Sequence, residues 1–377
     1  MATDQGAVFE AMIGAAAPLP RMSDRDSFYI YFAGGIQAGK LSEDRWCLEP
    51  LWLSGKANRS GPVRKQMLVD YVTALGLRPV GFHSFGWFGG EHSSHWVPMM
   101  SNSGSHESDP AQLWGNISYQ VSHMRGKRAP RPLHFLQDIA DFEDNRSATD
   151  RLSQSISLSL RSMGTNVQAI AEHYSERLVD GLFRGDWKGH RFATTSDQNL
   201  YAQVHSFFLH WGSARDYLAA LIALRLQLDP YSVRNNSLPR LLSRMKLPET
   251  SREPLLGLLL EKGYVQAAGS KGLAISGWME EASDLRDELV HRRPYGQRFL
   301  ETSGSIEPVR EDHGVFRYFR PIVRQEGTQD VFDVIIHHYR KTTELFQEAA
   351  RRSGYNTEFV TLTDEDIMSF EEIPTRT

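Results

Sequence analysis

Near the end of an apolar-striped segment stand an arginine, a carboxylate and a histidine, in the run Arg286-Asp287-Glu288-Leu289-Val290-His291-Arg292-Arg293-Pro294. Arginine and histidine together are enough for one reaction that needs no metal. RNA carries its own nucleophile, the 2′-hydroxyl. A histidine can take its proton or give one to the leaving oxygen, and a guanidinium fork can stabilise the charge on a five-coordinate phosphate. Asp287 would orient the imidazole and favour its charged form, while Arg292 and Arg293 would attract the RNA backbone. On an α-helix each residue turns by about 100°. Asp287 and His291 then share a face, roughly opposite a core-facing stripe of Trp278, Ala282, Leu285 and Leu289. On the same ladder Arg286 lies about 140° from His291, so the two need not touch, while the long guanidinium can still bend toward a common ligand, above all in a groove made by two subunits.

Two other groupings carry less. Gly34-Gly35-Ile36-Gln37-Ala38-Gly39-Lys40 fits the Gly-x4-Gly-Lys half of a phosphate-binding loop, but Leu41 stands where a magnesium-binding Ser or Thr is required. The segment Trp46 to Pro50 also reads poorly as the helix that should follow. A glycine-rich turn after a strand is the plainer reading. His83, Glu91, His92, His95, His106, Glu107 and Asp109 are ligand types suited to divalent metals. No helix supports the His92-x2-His95 spacing, which reads as solvated loop histidines. No metal and no other cofactor is assigned.

The elements that position these residues differ between the two halves of the chain. The N-terminal part is rich in Gly, Pro, Ser and aromatics. It offers a strand at Phe28 to Ala33, a helix at Val63 to Leu75 with Gly76 as its C-cap, and a second strand at Pro79 to Phe85. Gly86 to Pro132 reads as loop. From Ser147, an N-cap residue, long stripes begin: Leu152, Ile156, Leu160, Met163, Val167, Ile170, Tyr174 and Leu178, then Leu200, Val204, Phe207, Trp211, Ala214, Leu218 and Leu221. Asp229-Pro230 stops the second. Shorter helices are expected at Leu238 to Met245 and Glu253 to Lys262, and another at Leu273 to His291. An extended piece at Val315 to Arg320 precedes a last helix at Asp330 to Arg352. Repeated stripes with polar backs predict helices packed on one another. The expected class is α+β, predominantly α. It comprises a small N-terminal α/β or irregular domain at 1–145, a C-terminal antiparallel helical bundle at 146–355, and an acidic tail at 356–377.

Composition narrows the partners. With 377 residues and 40% hydrophobic content there is ample core for two domains. A net charge of -4 leaves no global basic field, so any nucleic-acid surface must be local. The lone Cys47 excludes a disulfide framework and a cysteine-based zinc site within one chain. The first residues lack the basic segment of a secretion signal, and no run reaches the ~18 to 20 apolar residues of a membrane span. A cytoplasmic protein without membrane contact is expected.

The run Arg286-Asp287-Glu288-Leu289-Val290-His291, an Arg-polar-x3-His motif near a helix end, resembles the HEPN superfamily of helical domains linked to nucleotide and RNA metabolism. The resemblance covers 196–294 closely and extends over the bundle from 147 to 352. It implies a homodimer in which two motifs meet in one cleft. It also implies a metal-independent endoribonuclease acting on RNA, used as a toxin or in antiviral defence, with an antitoxin or defence-system protein as a further partner. Other members bind RNA, nucleotides or proteins without cutting, and that is the alternative expectation.

Overall fold

The computed structural model describes residues 5–19, 28–88, 91–99, 109–126, 146–185, 187–245, 253–269, 272–324 and 327–359. The chain forms two compact units, both built from separate stretches of sequence. One unit takes residues 1–109, 160–212 and 281–345, and the other takes 110–159, 213–280 and 346–377.

The first unit is organised on a six-stranded antiparallel sheet. Its spatial order is Val63–Arg64, Arg45–Glu49, Gln37–Ser42, Phe28–Phe32, Pro79–Phe88 and Glu91–Pro98. The aromatic and β-branched run Phe28-Tyr29-Ile30-Tyr31-Phe32 suits a central strand and is buried from Tyr29 on. Residues 160–184 of the long helix Ala148–Arg184 lie against this sheet. Ser175 Oγ donates to Gln37 Oε1 at 3.0 Å. Gly35, at φ +88, lets the turn before the third strand approach the Tyr174 carbonyl so closely that any Cβ would collide with it. Tyr174 in turn packs on Tyr318 and Phe332, with ring centroids 5.1 and 4.8 Å away. A three-stranded sheet of Arg191–Phe192, Gly304–Arg310 and Val315–Phe319 belongs to the same unit. So does the hairpin Pro321–Arg324 with Gly327–Asp330.

The second unit contains the helix Pro110–Gly126, short helices at Leu238–Leu242 and Pro254–Glu261, and a hairpin of Val265–Ala267 with Leu273–Ile275. Ser118 and Ser122 both donate to the Asp150 carboxylate at 2.6 Å, and Trp114 Nε1 donates to the Phe346 carbonyl at 2.9 Å. Glu253 caps its helix by accepting from Leu256 N at 2.6 Å, and it pairs with Arg225 at the same distance.

The expected C-terminal antiparallel helical bundle is overturned. The architecture is mixed, with several antiparallel sheets, and strands interrupt the expected bundle at Arg191–Phe192, Val265–Ala267, Leu273–Ile275, Gly304–Arg310, Pro321–Arg324 and Gly327–Asp330, besides Val315–Phe319, where an extended piece is expected. The helical stripes are real: Met163, Val167, Ile170, Tyr174 and Leu178 are each 0% exposed. A stripe shows that a helix has a buried face, but not whether a helix or a sheet covers it. The N-terminal part also departs from expectation. Gly86 to Pro132, expected as loop, contains the end of one strand, the whole of Glu91–Pro98 and the helix Pro110–Gly126. Of the acidic end, residues 360–377 lie outside the described residues. Among the described residues, no helix is long and apolar enough to cross a membrane.

Candidate functional site

The Arg-polar-x3-His run lies in the first unit, where the helix Gly277–Asp287 ends. Ala282, Leu285 and Leu289 anchor it by their buried faces. Beyond Asp287 the ladder widens. Glu288–Arg292 forms a π-helical turn, closed by Arg293 N donating to the Glu288 carbonyl at 2.7 Å. Pro294 gives a local reason, because its ring has no N–H and crowds the carbonyl four residues back. Tyr295 then fixes the exit: its N donates to His205 Nε2 at 2.8 Å, and its hydroxyl to the Pro321 carbonyl at 3.2 Å.

The wide turn changes which side chains meet. An i→i+5 ladder turns less per residue than an α-helix, so positions five apart approach one face. Arg286 Nη1 stands 3.2 Å from His291 Nε2 and donates to Asp287 Oδ1 at 2.8 Å. A uniform α-helical phase sets Arg286 and His291 apart, whereas the structure joins them. It also gives Asp287 a different partner, since its carboxylate engages Arg286 rather than the imidazole. Arginine can only donate. Nε2 is therefore the acceptor, and the imidazole proton sits on Nδ1 in this arrangement.

Arg286 is held from behind by the helix Asp197–Arg225, where Gly212 leaves room for its stem. A Cβ at 212 would stand 3.2 Å from Arg286 Nε. His291, Arg292 and Arg293 are exposed. Among the described residues no ion pair holds Arg292 or Arg293, whereas Glu288 is paired with Arg298 at 3.0 Å. The other flank of the turn borders a pocket of ≈ 290 Å³ with Leu285, Leu289, Ile322 and Val323 on its apolar side and Arg293 and Gln297 on its polar side.

The remaining groups singled out from the sequence fall elsewhere. Gly34 and Gly35 form a 3-10 turn at positive φ that runs into the strand Gln37–Ser42, not into a helix, so no phosphate cradle forms. Lys40 Nζ lies 5.0 Å over the Phe28 ring. His92 and His95 are on the strand Glu91–Pro98, where an odd separation puts the two positions on opposite faces of the sheet. His106 and Glu107 lie outside the described residues. Among the described residues, no three His, Cys, Asp or Glu side chains gather as metal ligands.

One grouping has no counterpart in the sequence motifs. His83 is buried, with Ser94 Oγ 2.8 Å from its Nε2 and Glu172 Oε1 3.4 Å from its Nδ1. No local spacing signals this set, because Glu172 arrives from a helix 89 residues further along the chain. No family model matches the chain, and neither a curated protein nor a solved structure matches it.

Proposed function

We propose that the protein cleaves single-stranded RNA without a metal, at Arg286 and His291. The observation that carries this reading is their 3.2 Å contact on an exposed turn. It puts a donor-only cation and an imidazole where one phosphodiester can touch both. When a phosphate binds, the guanidinium moves its Nη1 hydrogen bond from His291 to a phosphate oxygen. That frees Nε2 to take the proton of the 2′-hydroxyl. The 2′-oxygen then bonds to phosphorus, the bond to the 5′-oxygen breaks, and the leaving oxygen takes a proton from water, whose hydroxide takes the proton from His291 and restores the neutral imidazole. Arg286 balances the charge of the five-coordinate intermediate. Asp287 holds the guanidinium in register, and Arg292 and Arg293 supply attraction for flanking phosphates. The pocket beyond Leu289 offers an apolar bed with polar edges for an adjoining base.

Labelled RNA incubated in chelator tests this. Wild type should leave a 2′,3′-cyclic phosphate or its hydrolysis product, and His291→Ala should lose on the order of 100-fold in rate. Equal cleavage by both proteins would remove His291 from the chemistry. Retarded migration of RNA without cleavage by either would replace the enzyme with an RNA-binding module at the same surface.

A further inference from the structure

His83 and Ser94 share one face of the outer hairpin of the six-stranded sheet. The register sets His83 across from Trp96 and Phe85 across from Ser94, so Ser94 is the diagonal neighbour of His83. Over this face passes the long helix, carrying Gln168 and Glu172 one turn apart. Glu172 Oε1 lies 3.4 Å from His83 Nδ1. Gln168 Nε2 donates to Glu172 Oε1 at 3.0 Å and stands 3.2 Å from His83 Nε2. The histidine is the buried member of the three: Ser94 is exposed, His83 is 7% exposed and the Glu172 side chain is 41% exposed. Beside them lies an aromatic wall. Trp96 and Tyr31 have ring centroids 5.8 Å apart, and Trp96 Nε1 donates to Tyr339 OH at 3.3 Å. Gly81 is what lets the Trp96 ring lie flat on the strand, because any Cβ there would overlap it.

A histidine buried only for packing needs one partner on each nitrogen. Here Nε2 meets the hydroxyl of an exposed serine at 2.8 Å as well as the Gln168 amide, and the Nδ1 side faces a carboxylate, so nucleophile, base and orienting acid stand in their role order. We propose that Ser94, His83 and Glu172 form a serine-nucleophile site that hydrolyses carboxylic esters. Ser94 Oγ bonds to the ester carbonyl carbon as its proton passes to His83 Nε2. The carbon–oxygen bond to the alcohol then breaks, and the alcohol leaves with that proton. Water next gives a proton to His83 and its oxygen to the acyl carbon, and the bond to Ser94 Oγ breaks as the serine regains its proton. As His83 Nε2 takes the serine proton, Gln168 Nε2 turns the N–H it directs at that nitrogen to the transient oxyanion while keeping its bond to Glu172, which is a positioning residue. The long Glu172–His83 distance is of the kind that tightens when substrate binds.

A fluorophosphonate probe added to the full chain, followed by peptide mass spectrometry, tests the assignment. The expected result is one phosphonyl group, on Ser94. Labelling should fall at least ~100-fold in Ser94→Ala and in His83→Gln. Glu172→Gln should move the pH profile of p-nitrophenyl acetate hydrolysis, which a purely structural role would leave in place. If His83→Gln fails to fold, Ser94→Cys replaces it, since the exposed position tolerates the change. The thiol of that variant should then react with iodoacetamide faster than a free cysteine at neutral pH. Folded wild type that takes no label, label that persists in Ser94→Ala, or an unactivated thiol in Ser94→Cys would each overturn the proposal.

Discussion

Arg286 reaches His291 because the side chain is long, its stem is unobstructed and the turn is wide. The middle condition rests on Gly212, whose missing Cβ leaves Arg286 Nε room against the helix Asp197–Arg225. Gly212 is not at a positive φ, so alanine fits the backbone and its effect is confined to the few tenths of an ångström that Arg286 must yield. We expect Gly212→Ala to slow RNA cleavage by up to about 10-fold with the fold intact, because small misplacements of a charge-stabilising group are costly. Arg286→Lys should lose more, as one ammonium cannot span Asp287 and His291 at once. Cleavage rates with far-ultraviolet dichroism as the fold control check both, and an unchanged rate in Gly212→Ala would mean Arg286 needs no such support. These residues are legible in the sequence as types and as an exposed face, and Asp287 and His291 are indeed exposed. Their partnership is not legible. The α-helical phase separates Arg286 from His291, and only the change of helix type brings them together. His83, Ser94 and Glu172 are still less visible, since a sheet register and a helix crossing are what assemble them.

The helices and strands themselves follow local rules closely. Ser147 caps the long helix through its Oγ, which accepts from Asp150 N at 3.1 Å, and Asp330 caps the last helix by accepting from Phe332 N at 2.8 Å. Gly76, at φ +79, ends the helix Lys65–Ala74 where a C-cap glycine is expected. The segment from Leu273 is one exception: its first residues, Leu273–Ile275, pair as a strand with Val265–Ala267 before the helix begins at Gly277. Three apolar residues at a helix entrance look alike in either state, and the pairing partner decides. The π-turn allows a test at this scale. It accommodates one residue more than an α-turn. Deleting Val290 should restore the α ladder and leave the arginine and histidine four apart, still on one face. Cleavage of RNA should then survive within about 10-fold, an allowance for imperfect alignment. Inserting an alanine after Val290 sets the two six apart, on different faces, and should abolish cleavage. If deletion and insertion proved equally damaging, the pairing of Arg286 with His291 would not be what matters.

The whole molecule is the scale at which the sequence misleads, because helical stripes are silent about what covers them. Sheet and helices share one core in the first unit, and that core buries ionisable groups whose titrations set its response to acid. His338 is 0% exposed, and burial with His337 beside it holds its pKa down at about 3, against an ordinary 6.5. The fold keeps it neutral while the unfolded chain takes a proton below 6.5. Stability is therefore lost as pH falls from 6.5 toward 3, by about 1.4 kcal/mol per pH unit. Asp330 works the other way. Burial raises its pKa from 3.8 to about 6, although Arg317 opposes the rise. The fold takes that proton first, so stability is gained as pH falls from 6 to 3.8, at the same slope of about 1.4 kcal/mol per unit. Between about pH 6 and 4 the two cancel. Below about pH 4 the Asp330 gain is complete, while His338 continues to destabilise. Asp197 joins it there: burial disfavours its charge, but the His173 ring, Thr194 N and Arg320 outweigh that and hold its pKa well below the carboxylate range. Such a carboxylate stabilises above its unfolded pKa of 3.8 and loses that contribution as pH falls further. Half-buried His205, His210 and His337 are likewise held below 6.5 by burial and add to the loss, so urea midpoints should fall as pH drops below 6.5. His338→Gln, which has nothing to titrate there, should lose less stability than wild type as pH falls from about 6.5 toward 3. Parallel pH profiles for the two proteins would show that His338 takes up its proton as readily in the fold as in the unfolded chain.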